Sequence, residues 1–446
     1  MNLVLHGVRV IDPMAGVDRH PADVWLRDGV LAAIDDSIEP DAVTVIDLSP
    51  ARGHEPLLVC PGFVDLHAHL REPGGEPAET ILSGAGAAAA GGFTQVLAMA
   101  NTRPPVDDPG RVAAAAARAA AAPLRVLTAA AVTRGLQGTA LVDVAGCAAA
   151  GAAAFTDDGR NSASTQLLSA ALRDAARCDR AVLVHPEDEV MVRIANPETE
   201  NVARGLLRPA ACEVAAVDSA LAALSLAGTG RLHLQHLSVA GAVHSLRAAR
   251  DIGATVTAEV TPHHLGMSAG GTGPGSLRKV NPPLRDDADR AALQTALREG
   301  LIDAVATDHA PHVDTDKAGD LAAAAPGMIG LETALAVCLT HGGMRGHWLP
   351  VLIDRLTAGP WRVLGSTSGL HPPRLQAGEP ADLVIVDPAH DWVVEAAGLC
   401  SRSHNTPLLG SRLRGRVLVT MAGGRCVHLD RAAPPGLASL LETAHA

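Results

Sequence analysis

The sequence predicts an α/β protein: a (β/α)8 TIM-type barrel with a small flanking β-sandwich built from both chain ends. Three observations predict it. Over residues 57–372, short β-branched runs alternate with alanine- and leucine-rich stretches of helical period. Residues 1–56 and 373–430 share another style, short alternating strands broken by Gly, Pro and Asp, and neither end has the apolar length to fold alone. Histidines and aspartates recur just after the apolar runs, at the end of the strands where such barrels gather their chemistry.

In chain order, the first end offers Leu3–Leu5, Val8–Ile11, Asp23–Leu26 and Leu31–Ile34 as strands. Eight barrel strands follow: Phe63–His67, Thr94–Met99, Leu124–Thr128, Ala153–Thr156, Ala181–His185, Leu232–His236, Thr255–Val260 and Asp303–Thr307. Helical patterns lie between them; in 162–178, Leu167, Leu168, Ala171, Leu172 and Ala175 fall on one helix face. Strands return at Ala381–Asp387, Arg416–Met421 and Gly424–His428, followed by a proline-marked, loosely held tail, 431–446.

Composition narrows the function classes. With 48% hydrophobic and 19% charged residues the chain is globular, and 446 residues can bury a large core. A net charge of −12 argues against a nucleic-acid or anionic-membrane surface, so an anionic ligand must be drawn by a local cluster. The alanine tract 113–122 is split by Arg118, and the opening residues, with His6 and Arg9, read as a strand and not as a leader. Seven scattered cysteines without a Cys-X-X-Cys pair fit free thiols. The expectation is a soluble, cytoplasmic protein with no membrane or nucleic-acid partner.

The segment Pro61–Gly74 is the most informative. A buried strand there feeds into His67 and His69, alternate positions that share a face and present two nitrogens to one ion, with the Arg71 guanidinium beyond them able to grip a carboxylate. Twenty histidines in 446 residues supply about one such pair by chance, so its company matters. The company is Asp157 and Asp158 after strand four, His185 after strand five, His236 after strand six, and Asp308 with His312 after strand eight. Four imidazoles and two carboxylates at one rim have the donor character of a zinc-type pair.

Together with Met99–Asp107, Ala154–Gly159, Thr261–Leu265, Lys279–Arg285 and Ile302–His312, the segment His67–Gly74 resembles the motif series of type I dihydroorotases, in the amidohydrolase superfamily. The resemblance runs from about residue 2 to 428. It implies two Zn2+ ions and reversible cyclisation of N-carbamoyl-L-aspartate to L-dihydroorotate in de novo pyrimidine (UMP) biosynthesis. Many relatives bridge two metals with a carboxylated lysine at strand four. This chain has only Lys279 and Lys317, far beyond it, so the bridge must come from Asp157 or Asp158; the resemblance favours Asp158 and leaves Asp157 a supporting role.

The resemblance further implies that His67, His69 and Asp308 hold one ion, His185 and His236 the other, and that Asp308 moves the proton. It implies that Arg71, Asn101 and His312 bind the substrate carboxylate, and Asn281 with the backbone of Pro326 and Gly327 the ureido edge. Glu187 and Asp188 are expected to orient His185, His263 and His264 to support or pack, and 310–327 to act as a lid or a connector. The resemblance leaves room for a homodimer and for association with aspartate transcarbamoylase. Two other readings compete: a hydantoinase-, dihydropyrimidinase- or allantoinase-like cyclic amidohydrolase, which the missing lysine disfavours, and a metal-free structural subunit of a transcarbamoylase complex.

Overall fold

The computed structural model describes residues 2–38, 43–161, 163–196, 207–271 and 274–438. Five strands come first: β1 (Asn2–Asp12), β2 (Val17–Arg27), β3 (Val30–Asp35), β4 (Thr44–Asp47) and β5 (Leu58–Pro61). Eight parallel barrel strands follow, β6 (Phe63–Ala68), β7 (Phe93–Ala98), β8 (Arg125–Ala130), β9 (Ala154–Thr156), β10 (Ala181–Val184), β11 (Arg231–Leu234), β12 (Val256–Val260) and β13 (Ala304–Val305), paired in sequence order. The barrel is nearly closed by a parallel bridge between Ala68 and His309 and by His69 N–H donating to the His309 carbonyl at 2.8 Å. β14 (Leu383–Val393), β15 (Arg412–Ala422) and β16 (Arg425–Leu429) complete the chain's strands among the described residues.

The flanking unit differs in detail from the expected sandwich. Its strands form one hydrogen-bonded path, β16-β15-β14-β5-β1-β2-β3, with β4 also on β1. β5 is the joint, parallel to β1 and antiparallel to β14, so the two chain ends share one ladder. Leu58–Pro61 thus pairs outside the barrel although it lies past the boundary expected at residue 57. Leu3, Leu5, Val24 and Leu26 from the first end meet Leu383, Ile385, Val419 and Met421 from the second in one apolar cluster. Leu437 is fully buried in the same cluster, which corrects the expectation of a loose tail as far as residue 438.

Helix Ala210–Ala227 is, among the described residues, the one helix long and apolar enough to cross a membrane. It packs instead against helix Thr165–Arg177 and β11, and its buried Glu213 accepts from the backbone N–H groups of Ser238 (2.7 Å) and Val239 (3.2 Å). That carboxylate ties the helix to the loop just after β11, which carries His236.

Candidate metal centre and substrate cleft

The predicted ligands all stand at the carboxyl ends of barrel strands. His67 is in β6 and His69 just past it; Asp158, His185, His236 and Asp308 follow β9, β10, β11 and β13 within three residues. Every one is buried. The backbone bends sharply to aim them: φ is +33° at His236, +46° at Asp308 and +59° at Arg71, a left-handed region that costs a non-glycine residue about 1–3 kcal/mol and is tolerated where surrounding packing over-determines it.

Asp158 is the common neighbour. Its Oδ1 lies 3.3 Å from His67 Nε2, 3.5 Å from His185 Nδ1 and 3.6 Å from His236 Nε2, while Oδ2 lies 3.4 Å from His69 Nε2. Asp308 Oδ1 is 3.1 Å from His69 Nε2 and 3.5 Å from His67 Nε2. Two sets of donor atoms, His67 with His69 and Asp308, and His67 with Asp158 and His236, are close enough to hold an ion.

Tautomers decide whether a cation fits. His67 Nδ1 is 2.8 Å from Glu259 Oε1, and a carboxylate only accepts, so the proton sits on Nδ1 and Nε2 keeps its lone pair. That buried Nε2 has no hydrogen bond and faces two carboxylates. Acceptor against acceptor in a buried site calls for a positive charge between them. The same two carboxylates draw positive charge toward that ring: against the desolvation that would lower it, Asp158 and Asp308 push the His67 imidazole well above its ordinary value. His69 repeats the pattern, its Nδ1 at 3.0 Å from Asn101 Oδ1 and its Nε2 inward. The residues present fit a bound metal cation.

Around the ligands lies a layer of polar groups that sequence reasoning mostly missed. Glu259 is fully buried and also receives His233 Nε2 at 3.0 Å, whose Nδ1 meets Thr257 Oγ1 at 2.9 Å. Asp65 accepts from the backbone N–H of Thr307 (2.9 Å) and its hydroxyl (2.6 Å), tying β6 to the turn before Asp308. The clue available in sequence was a lone acid or histidine inside an otherwise apolar strand run, as at Asp65, His233 and Glu259. Asp157 accepts from Val132 N (2.8 Å), Thr133 N (3.0 Å) and the Thr133 hydroxyl, and so faces away from the imidazoles. Glu187 lies 3.9 Å from His185 Nε2 and pairs with Arg208; in spite of burial these partners hold it at about 2. Asp188 does not orient His185 but caps helix Glu189–Ala195 through Met191 N, because it stands where that helix starts.

A cleft of about 220 Å³ opens onto the centre, lined by His69, Asp158, His185 and Asp308 and by all of Arg71, Asn101, Asn281, His312, Pro326 and Gly327. Arg208, unforeseen, lines it too. Burial lowers Arg71 to about 10, which leaves its guanidinium charged at neutral pH; Nε donates to the Pro311 carbonyl at 3.0 Å. Burial and the Arg71 charge lower His312 to about 4, and its Nε2 donates to the Pro326 carbonyl at 2.9 Å. Asn281 Nδ2 donates to His185 Nε2 at 3.2 Å, and its buried Oδ1 has no partner. His264 supports the turn that carries Asn281, donating from Nε2 to the Pro282 carbonyl at 3.0 Å, while burial lowers His263 to about 4.

The loop 310–327 is tied down at several points. Lys317 Nζ donates to the carbonyls of Ala325 (2.7 Å), Gly327 (2.9 Å) and Lys279 (3.3 Å), and Lys279 Nζ to that of Ala322 (3.1 Å). Both lysines of the chain serve this loop. Asn405, from the far end of the sequence, accepts from His312 N at 3.0 Å and donates to the carbonyls of Ala310 (3.0 Å) and Gly327 (3.2 Å).

Comparison with known proteins agrees with this architecture. A family model described as Dihydro-orotase-like matches residues 57–240. The chain is 43% identical over 436 residues to a dihydroorotase of Anaeromyxobacter dehalogenans (strain 2CP-1 / ATCC BAA-258), covering 96% of this chain and 98% of that one. It is 37% identical over 439 residues to a dihydroorotase of Syntrophus aciditrophicus (strain SB), covering 96% and 100%. A solved D-hydantoinase superposes with a TM-score of 0.82 over 97% of this chain and 96% of its own at 21% identity, and an L-hydantoinase from Arthrobacter aurescens with 0.80 over 95% of each at 24%; these show the barrel and its flanking sheet. Sequence identity at this level along nearly the full length places the chain in the dihydroorotase family.

Proposed function

We propose that this chain catalyses the reversible cyclisation of N-carbamoyl-L-aspartate to L-dihydroorotate in de novo pyrimidine synthesis, with two zinc ions. The observation that carries the reading is Asp158, whose two oxygens face four imidazoles. His67, His69 and Asp308 would hold one ion, His185 and His236 the other, and Asp158 would touch both. Bound there, the ions supply Lewis-acid polarisation and bring the pKa of water toward neutrality.

The chain's own residues supply binding, orientation and proton movement. Arg71 pairs with the carboxylate that ring closure leaves untouched; buried and charged, it selects an acid over a neutral hydantoin. The unpartnered Asn281 Oδ1 accepts from a ureido N–H. At Gly327, φ is +128° and a Cβ would come within 2.7 Å of Ala310 Cβ, so glycine keeps the loop backbone close to the cleft. In hydrolysis the ring C–N bond breaks, the carbonyl carbon gains the oxygen of water, and the Asp308 carboxylate carries the water's proton to the departing nitrogen. Synthesis reverses each step and consumes a proton, so it gains on hydrolysis as pH falls.

The test is dihydroorotate hydrolysis and zinc content measured on one sample purified without chelator. The expected result is turnover with about two zinc ions per chain. Less than one zinc with no turnover would favour the structural-subunit reading. Turnover of hydantoin or dihydrouracil but not of dihydroorotate would favour another cyclic amidohydrolase.

A further inference from the structure

We propose that Glu259 is a positioning residue for the metal centre: it fixes the tautomer and ring orientation of His67, and His233 holds Glu259 in place to do so. This rests on the metal-holding role proposed above. Glu259 has no exposure to solvent, and each of its oxygens is committed: Oε1 to His67 Nδ1 at 2.8 Å and Oε2 to His233 Nε2 at 3.0 Å. The backbone N–H of His236 also points to Oε1, at 3.4 Å. One carboxylate on β12 therefore touches the ligand on β6 and the turn that carries the ligand after β11.

The alternative partner of His67 Nδ1 is Gln235 Nε2, at 3.2 Å. An amide N–H₂ cannot receive the Nδ1 proton, and the Gln235 carbonyl is already the acceptor of the Thr156 hydroxyl at 3.1 Å. The shorter, charge-assisted contact with Glu259 decides the tautomer. With Nδ1 protonated, the only lone pair of the ring is at Nε2, the atom without a hydrogen bond that faces Asp158 and Asp308. His233 lies in β11, and its other nitrogen is fixed by Thr257 Oγ1 at 2.9 Å, so the series Thr257, His233, Glu259, His67 runs without a break to the ligand atom.

A carboxylate behind a metal-bound imidazole raises its basicity and holds its plane, and loss of such a partner lowers metal affinity roughly 10- to 100-fold. The measurement is zinc affinity by competition with a chromophoric chelator, using zinc alone as probe, for the full chain, E259Q, H67N and the double variant. Expected is a loss of about 10- to 100-fold on Glu259→Gln with His67 present, and less than about 3-fold once His67 is Asn, because Glu259 acts through that ring. An equal loss in both backgrounds would show a general structural role and overturn the proposal, as would zinc affinity indifferent to E259Q. A parent chain that binds no zinc would instead sink the metal reading itself. Histidine ¹⁵N shifts of E259Q give a second readout: His67 should lose its single Nδ1–H tautomer, and its persistence would count against the role.

Discussion

The two halves of the centre are braced differently. On the side of His67, His69 and Asp308, each outward imidazole nitrogen meets an oxygen, of Glu259 or Asn101, and Asp65 pins the turn that leads to Asp308. On the other side His185 Nδ1 and His236 Nε2 bond to each other at 2.7 Å, and the buried His236 Nδ1 has no partner. Preorganisation is thus concentrated where β6 and β13 meet, and the imidazoles after β10 and β11 gain their order from Asp158, from each other and, at His185 Nε2, from the Asn281 amide. On the metal reading proposed above, an ion on the second side would have to separate a pair of bonded rings, whereas on the first it would meet lone pairs already aimed.

The largest expected effect erases the comparison altogether. Asp158→Ala removes the one carboxylate both halves share, and dihydroorotate hydrolysis should fall by about 10³-fold or more together with zinc content. An Asp158→Ala enzyme that kept its zinc would break the shared-ligand account. Next, Arg71→Met should raise KM for dihydroorotate by on the order of 100-fold, as expected when one member of a buried charge pair is lost, with zinc unchanged. A fall in zinc would place Arg71 in the braced half instead of the cleft.

A smaller effect reads the brace directly. Although burial raises it, hydrogen bonds from His233 and His67 hold Glu259 at about 2 instead of 4.5. A depressed carboxyl contributes stability that is present above pH 4.5 and lost as pH falls toward 2, on the order of 3 kcal/mol here. Glu259→Gln should flatten acid unfolding over that window; an unchanged profile would mean the bonds do not stabilise the fold. Smallest, Lys317→Met should raise KM a few-fold by loosening Gly327 while leaving zinc intact. Metal loss in that variant would return the bridge to a lysine.

Much of this was legible because a buried parallel strand is a short β-branched run, and all eight appear within three residues of their predicted limits. The misplaced limits are instructive: the runs expected to end at His185, His236 and Thr307 stop at Val184, Leu234 and Val305, because the chain leaves the ladder to turn His185, His236 and Asp308 inward. The cluster of His67, His69, Asp158, His185, His236 and Asp308 was legible for the same reason, as polar residues placed just after apolar runs. Glu259, His233 and Asn405 were not, since their partners lie up to 192 residues away and no local pattern says which strand faces which. The join through β5 was hidden similarly: four residues, Leu58–Pro61, read equally well as the start of the barrel and as the middle of the sheet.

The most direct test of the account is anomalous scattering at the zinc edge from crystals of the purified chain. Two peaks are predicted, both within ligand distance of Asp158, one shared with His67, His69 and Asp308 and the other with His185 and His236. Zinc bound elsewhere, or peaks that Asp158 does not touch, would contradict it.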